Sequence, residues 1–169
     1  MNDQTIYLTD EDHLRLTTLL SRMKKEGGWS PAYACGLRRK LECAVVVPSE
    51  DIPYHVITMH SQFRLQDLDT GAAKEYTLVY PHEADFHEGK LSILAPVGTA
   101  LLGSQDLDVV EVAVPAGNKR FRVGAVFYQP EAAEAYRVKA DSLIRGSRRA
   151  ERQSRGYSER RIRSGLSEA

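Results

Sequence analysis

Between Val47 and Pro53 the chain reads VPSEDIP, and the spacing of its apolar residues changes across that stretch. Before it, Leu16, Leu19, Leu20 and Met23, then Ala34, Leu37, Leu41 and Val45, recur every three or four positions. That period belongs to helices with one buried face. After it, apolar and polar residues alternate. Phe63 and Leu65 oppose Arg64 and Gln66; Tyr76, Leu78 and Tyr80 share one side; Phe121, Val123, Ala125 and Phe127 oppose Arg120, Arg122 and Gly124. A period of two marks half-buried strands. Residues 1–47 are therefore expected to be helical and residues 53–130 β-rich, with the boundary at Pro48 and Pro53.

Local signals refine the helical part. Thr9 and Asp12 have capping-box spacing, and the acids of DED suit a helix N-terminus. Gly27-Gly28 stops the first helix, and Ser30-Pro31 starts the second as cap and first-turn residue. Two helices joined by so few residues are expected to form a short antiparallel hairpin, each arm about 25 Å long. Its tip carries Lys24, Lys25, Glu26 and Trp29, the only tryptophan. Trp29 has two readings: an exposed binding anchor, or an aromatic folded back onto the helices or the β part.

In the β part, QFRLQDL, KEYTLVY, LSILA, VVEVAV and RFRVGAVF are predicted strands, with turns at DTG and PAGN. Short connections imply mostly antiparallel pairing. PVGTALLG, between LSILA and VVEVAV, is expected to be a short helix over one sheet face, with Gly98 allowing close backbone approach and Gly103 ending it. Beyond Pro130, Ala133, Tyr136, Ala140 and Leu143 keep helical spacing, so a C-terminal helix is expected within 131–169, followed by a basic tail with too few apolar residues to order itself. The fold class is α+β.

With 169 residues and 42% hydrophobic content, one real core is available. The formal charge of zero hides an asymmetry: residues 137–163 carry ten Arg/Lys against three Asp/Glu, and residues 1–136 carry thirteen against nineteen. Arg145, Arg148, Arg149 and Arg152 head that basic run. It suits contact with nucleic-acid phosphates, contact with an acidic protein surface, or a solubilising end; Tyr157 alone gives no aromatic interleaving for base stacking. Cys35 and Cys43, eight residues apart on a predicted helix, cannot bridge each other. They read as reduced, small apolar helix residues in a cytoplasmic protein. No signal peptide and no membrane span are expected.

Catalytic patterns are missing. His82, Glu83, Asp85, His87 and Glu88 match no zinc spacing and read as a solvated turn. There is no G-x-S-x-G elbow. The stretch from Gly98 to Gly103 lacks the Walker lysine and the Rossmann spacing. No cofactor and no metal are expected.

The stretch YPHEADFHEGKLSILAPVGTALLG carries a resemblance. Tyr80-Pro81, Glu83-Ala84-Asp85, Gly89-Lys90-Leu91-Ser92, Ala95-Pro96, Gly98 and Ala100-Leu101-Leu102-Gly103 stand in the order found in the C-terminal domain of the bacterial Gre transcript-cleavage factors. PSEDIPYHVITMHSQFRLQDLDTG and FYQPEAA resemble, more narrowly, the regulator of nucleoside diphosphate kinase family, over about residues 5–136. The resemblance implies an FKBP-like domain that docks on bacterial RNA polymerase at the rim of the secondary channel, while the hairpin reaches inward. Ser92, Leu94, Ala95, Pro96 and Val97 are the expected docking edge.

The Gre factors hold a catalytic magnesium with acidic residues at the hairpin tip. Here one glutamate stands beside two lysines, a poor ligand set for a hard cation. The expectation is a non-enzymatic transcription regulator. The alternatives are a Gre-like cleavage factor and a nucleic-acid-binding module run by the tail. Prolyl isomerisation, which the FKBP-like label raises, needs an aromatic-walled pocket that four Phe and one Trp, mostly on strand faces, do not make.

Overall fold

The computed structural model describes residues 5–26, 31–115, 117–134 and 137. Contacts divide the chain into two units, Met1–Ala133 and Glu134–Ala169. Residues 130–134 and 137 are helical, and the rest of the expected C-terminal helix, the tail arginines and Trp29 lie outside the described residues.

Strand β1 (Tyr7–Leu8) leads into α1 (Asp10–Glu26), whose start is capped as expected: the Asp12 N–H donates to Thr9 Oγ1 over 3.2 Å. Helix α2 (Pro31–Glu42) follows. At 17 residues α1 is about 25 Å long, whereas α2, at 12, reaches only about 18 Å. The helical spacing had included Val45, and here the structure differs. Val45 leaves the helix and opens β2 (Val45–Val46), which pairs in parallel with β1. The Val45 N–H takes the Ile6 carbonyl at 2.8 Å, so a sheet bond has replaced the next helical one. Cys43 accordingly lies past the end of α2. Both cysteines, read as small apolar helix residues, are free and exposed.

The main sheet has five strands in the order β5-β4-β3-β7-β6. They are β3 (Gln62–Asp67), β4 (Ala73–Val79), β5 (Lys90–Ser92), β6 (Val109–Val114) and β7 (Gly117–Tyr128). The fold is mixed α+β, but the expectation of an antiparallel sheet needs correcting at one edge. β5 runs parallel to β4, with Thr77 opposite Lys90 and Val79 opposite Ser92. The 3-10 turn Pro81–Glu83 and the tight turn closed between Asp85 and Lys90 carry the chain back before β5 begins, so the short connection is a crossover and not a hairpin.

The alternation of RFRVGAVF also breaks. Phe63 pairs with Val126 and Leu65 with Val123, so three steps on β7 match two on β3. That is a β-bulge, and it flips the side chains beyond it. Val126 is buried, while Phe127, which the alternation sets on the same side as Val123, is 51% exposed. LSILA is a strand only as far as Ser92; Ile93 and Leu94 continue as a buried turn into α3 (Pro96–Leu101).

One buried cluster takes Leu16 from α1, Leu37 and Leu41 from α2, Phe63, Leu65, Leu78 and Val123 from the sheet, and Leu101 beside Leu102 at the end of α3. Among the described residues no helix is long and apolar enough to cross a membrane.

Candidate functional site

The corner between β5 and α3 is closed by short-range bonds that its sequence makes possible. Ser92 Oγ accepts the Leu94 N–H at 3.2 Å, and the Ser92 carbonyl accepts the Ala95 N–H at 3.0 Å. Ala95 is the extended N-cap residue, and Pro96, with no N–H to satisfy, occupies the first helical position. Thr99 Oγ1 donates to the Ile93 carbonyl over 2.7 Å. At Gly98 a Cβ would stand 2.1 Å from the Ser92 carbonyl oxygen, so only glycine lets the helix lie this close. Gly103, at φ +81, turns the chain out of α3 against the Ile6 side chain.

Of the expected docking residues, Leu94 is 8% exposed and belongs to the core. Ser92, Ala95, Pro96 and Val97 are half-buried and form the accessible edge. Lys24 and Lys25 stand exposed in the last turn of α1, where cations suit the helix dipole. Glu26 closes that helix, and Trp29, Arg145, Arg148, Arg149 and Arg152 lie outside the described residues.

The acid and histidine turn resolves into separate local bonds. Asp85 Oδ1 accepts the His87 N–H at 2.9 Å, Glu88 pairs with Lys90, and Glu83 Oε2 accepts from both His60 Nε2 at 2.9 Å and the Tyr80 N–H at 3.2 Å. The His60 hydrogen bond holds the Glu83 carboxyl below its ordinary range.

Three polar contacts between segments distant in sequence escape a reading of periodicity. The Tyr80 hydroxyl donates to Asp12 Oδ1 at 3.0 Å; burial raises the pKa of both groups, and the hydrogen bond partly offsets this for Asp12. Thr58 Oγ1 donates to Glu131 Oε2 at 2.8 Å, while burial raises the Glu131 pKa. Lys40 Nζ donates to the carbonyls of Ala100 at 2.6 Å and Leu102 at 2.8 Å, and burial pushes its pKa down to about 8. Lys40 had one sequence signal: it flanks Leu37 and Leu41 on the apolar side of α2. Asp12–Tyr80 and Thr58–Glu131 join residues 68 and 73 apart and had none.

The sheet with its corner is of the GreA/GreB C-terminal kind. Residues 52–128 match the family model described as transcription elongation factor, GreA/GreB, C-term. A solved structure described as prokaryotic transcription elongation factor GreA/GreB from Nitrosomonas europaea superposes with a TM-score of 0.60 at 38% identity, covering 73% of this chain and 98% of that one. Over 142 residues the chain is 34% identical to the regulator of nucleoside diphosphate kinase of Escherichia coli (strain K12), spanning 80% of this chain and 98% of the relative. It is also 40% identical over 100 residues to the transcription elongation factor GreA of Clostridium botulinum (strain Eklund 17B / Type B), where the match covers 62% of the relative. The chain belongs to the regulator of nucleoside diphosphate kinase family, within the wider group that shares the GreA/GreB C-terminal region.

Proposed function

We propose that this chain is a transcription regulator that binds bacterial RNA polymerase at the secondary-channel rim through the edge formed by Ser92, Ala95, Pro96 and Val97, with Leu94 supporting it from the core. The observation that carries the reading is the corner itself. Pro96 at the first helical position and Gly98 against the Ser92 carbonyl hold a small half-buried edge at the surface, in the region shared with the transcription factors. An edge already ordered before contact loses little entropy on docking.

The same reading makes the chain a competitor without cleavage activity. α1 and α2 form the short hairpin, an arm of about 25 Å at most, with Lys24, Lys25 and Glu26 at its end. Two lysines beside a single glutamate repel a divalent cation where a cleavage factor needs to hold one. Occupying the rim excludes factors with longer arms, and the effect on transcription is steric.

Capture of polymerase from bacterial lysate by wild type and Pro96→Glu tests the assignment. Wild type retains polymerase and the variant loses it while its circular dichroism spectrum is unchanged. Equal capture by the two would rule out the corner. Wild-type protein that speeds transcript cleavage in a stalled complex would overturn the steric mechanism.

A further inference from the structure

Helix α3 has six residues, too few to be stable by itself. Its N-terminal half is held by Gly98 against Ser92 and by Thr99 Oγ1 on the Ile93 carbonyl. At its C-terminal end the Leu101 carbonyl accepts the Ser104 N–H at 2.9 Å, and two further carbonyls are reached from outside the β part. Lys40, near the end of α2, donates to the carbonyls of Ala100 and Leu102, which lie 60 and 62 residues further along the chain. The only other side chain bonding either carbonyl among the described residues is Ser104, whose Oγ donates to Ala100 O over 3.3 Å. One turn before Lys40 on the same face, Gly36 leaves room for Thr99 Cγ2, which a Cβ there would meet at an ordinary 3.6 Å. So α2 lies close to α3 at Gly36 and holds its C-terminal end through Lys40. A cation at the carbonyl end of a helix is favoured by the dipole and satisfies acceptors the helix cannot satisfy internally.

We infer that Lys40 is a positioning residue for docking: by capping α3 it sets where Ala95, Pro96 and Val97 stand, and it ties the helical pair to the edge that meets the partner. The inference rests on the polymerase-docking reading above. Lys40 touches no partner itself. Its effect on binding passes through one helix whose other end is the docking edge, about 9 Å away at the helical rise.

The test uses full-length protein, with binding to purified RNA polymerase measured for wild type, Lys40→Met, Lys40→Arg and Pro96→Glu, beside amide hydrogen exchange of the free proteins. Lys40→Met keeps the apolar stem and removes the donors. It is expected to weaken binding about tenfold, the scale of one charge-assisted hydrogen bond. The Thr99 and Leu102 amides should exchange faster while those of β3 keep their protection. Lys40→Arg retains a cation and restores most of the affinity. If Lys40→Met binds within about twofold of wild type while Pro96→Glu does not bind, Lys40 has no positioning role and the docking reading survives. If wild type itself fails to bind, both fall together. Loss of β3 protection in Lys40→Met, without rescue by arginine, reduces Lys40 to a general stabiliser and overturns the inference.

Discussion

The Tyr80 hydroxyl donates to Asp12 Oδ1 across 3.0 Å, fastening the first turn of α1 to the end of β4. Asp12 also sits in the capped turn begun by Thr9, so one bond joins the start of a helix to the sheet 68 residues later. Tyr80 is 8% exposed, and its ring lies 5.5 Å from that of His60.

Replacing Tyr80 by Phe keeps the ring and removes this donor. Asp12 is then left partly desolvated without it, and the cost to stability is about 1–2 kcal/mol. The hydrogen bond pulls the Asp12 pKa down against burial, so the variant's Asp12 should titrate higher than in wild type. Urea unfolding gives the first quantity and carboxyl carbon NMR the second. An unchanged Asp12 titration would show that the bond is not formed in solution.

Gly98→Ala probes the corner from the opposite direction. The added Cβ would meet a backbone oxygen, Ser92 O, at 2.1 Å, and backbone cannot rotate away as a side chain can. The helix must lift from β5, at a cost of about 1–3 kcal/mol for an overpacked site. Because the proposed docking edge ends at Val97, one residue earlier, polymerase binding should fall along with melting temperature. A variant that melts like wild type would mean that the corner is looser than the structure has it.

How much of this was readable beforehand depended on range. The capped start of α1, the inward Phe63 and Leu65, and the proline and glycines of the corner are local matters, and local spacing found them. The alternation of RFRVGAVF could not report the bulge after Val123, because the extra residue is defined only against β3 on the neighbouring strand. Val45 looked helical since its spacing from Leu41 is right; what removes it from the helix is the Ile6 carbonyl, far off in sequence. The parallel placement of β5 likewise depends on where the turn after Pro81 aims the chain. In the candidate site, the residues of the proposed edge lie in one contiguous stretch, so their grouping at a strand-to-helix corner could be read locally. Lys40, which holds the other end of α3, could be placed beside Leu37 and Leu41 on α2, but the carbonyl it caps lies 60 residues away and local spacing could not name it.

Glu131 gives the last prediction, and its sign follows from burial. The residue is 7% exposed, and burial raises its pKa above the ordinary 4.5 of an unfolded chain. Between those two values the folded protein keeps a proton that the unfolded chain has released. The stability this group contributes is therefore fully present below pH 4.5 and lost as pH rises through the folded value. At neutral pH the buried carboxylate is a net cost, eased by the Thr58 hydroxyl at 2.8 Å. Glu131→Gln keeps an acceptor for Thr58 and removes the charge. The variant should be more stable than wild type at neutral pH, and the difference should shrink as the pH falls and Glu131 becomes protonated. Glu83 and Asp67, whose pKa values are depressed by His60 and Lys119, lose stability in the opposite direction as pH falls. They are present in both proteins and cancel in the comparison. Thermal melts of the pair across the acid range measure the difference directly. A gap that stays constant with pH would mean that Glu131 does not titrate between the folded and unfolded states in the way its burial requires.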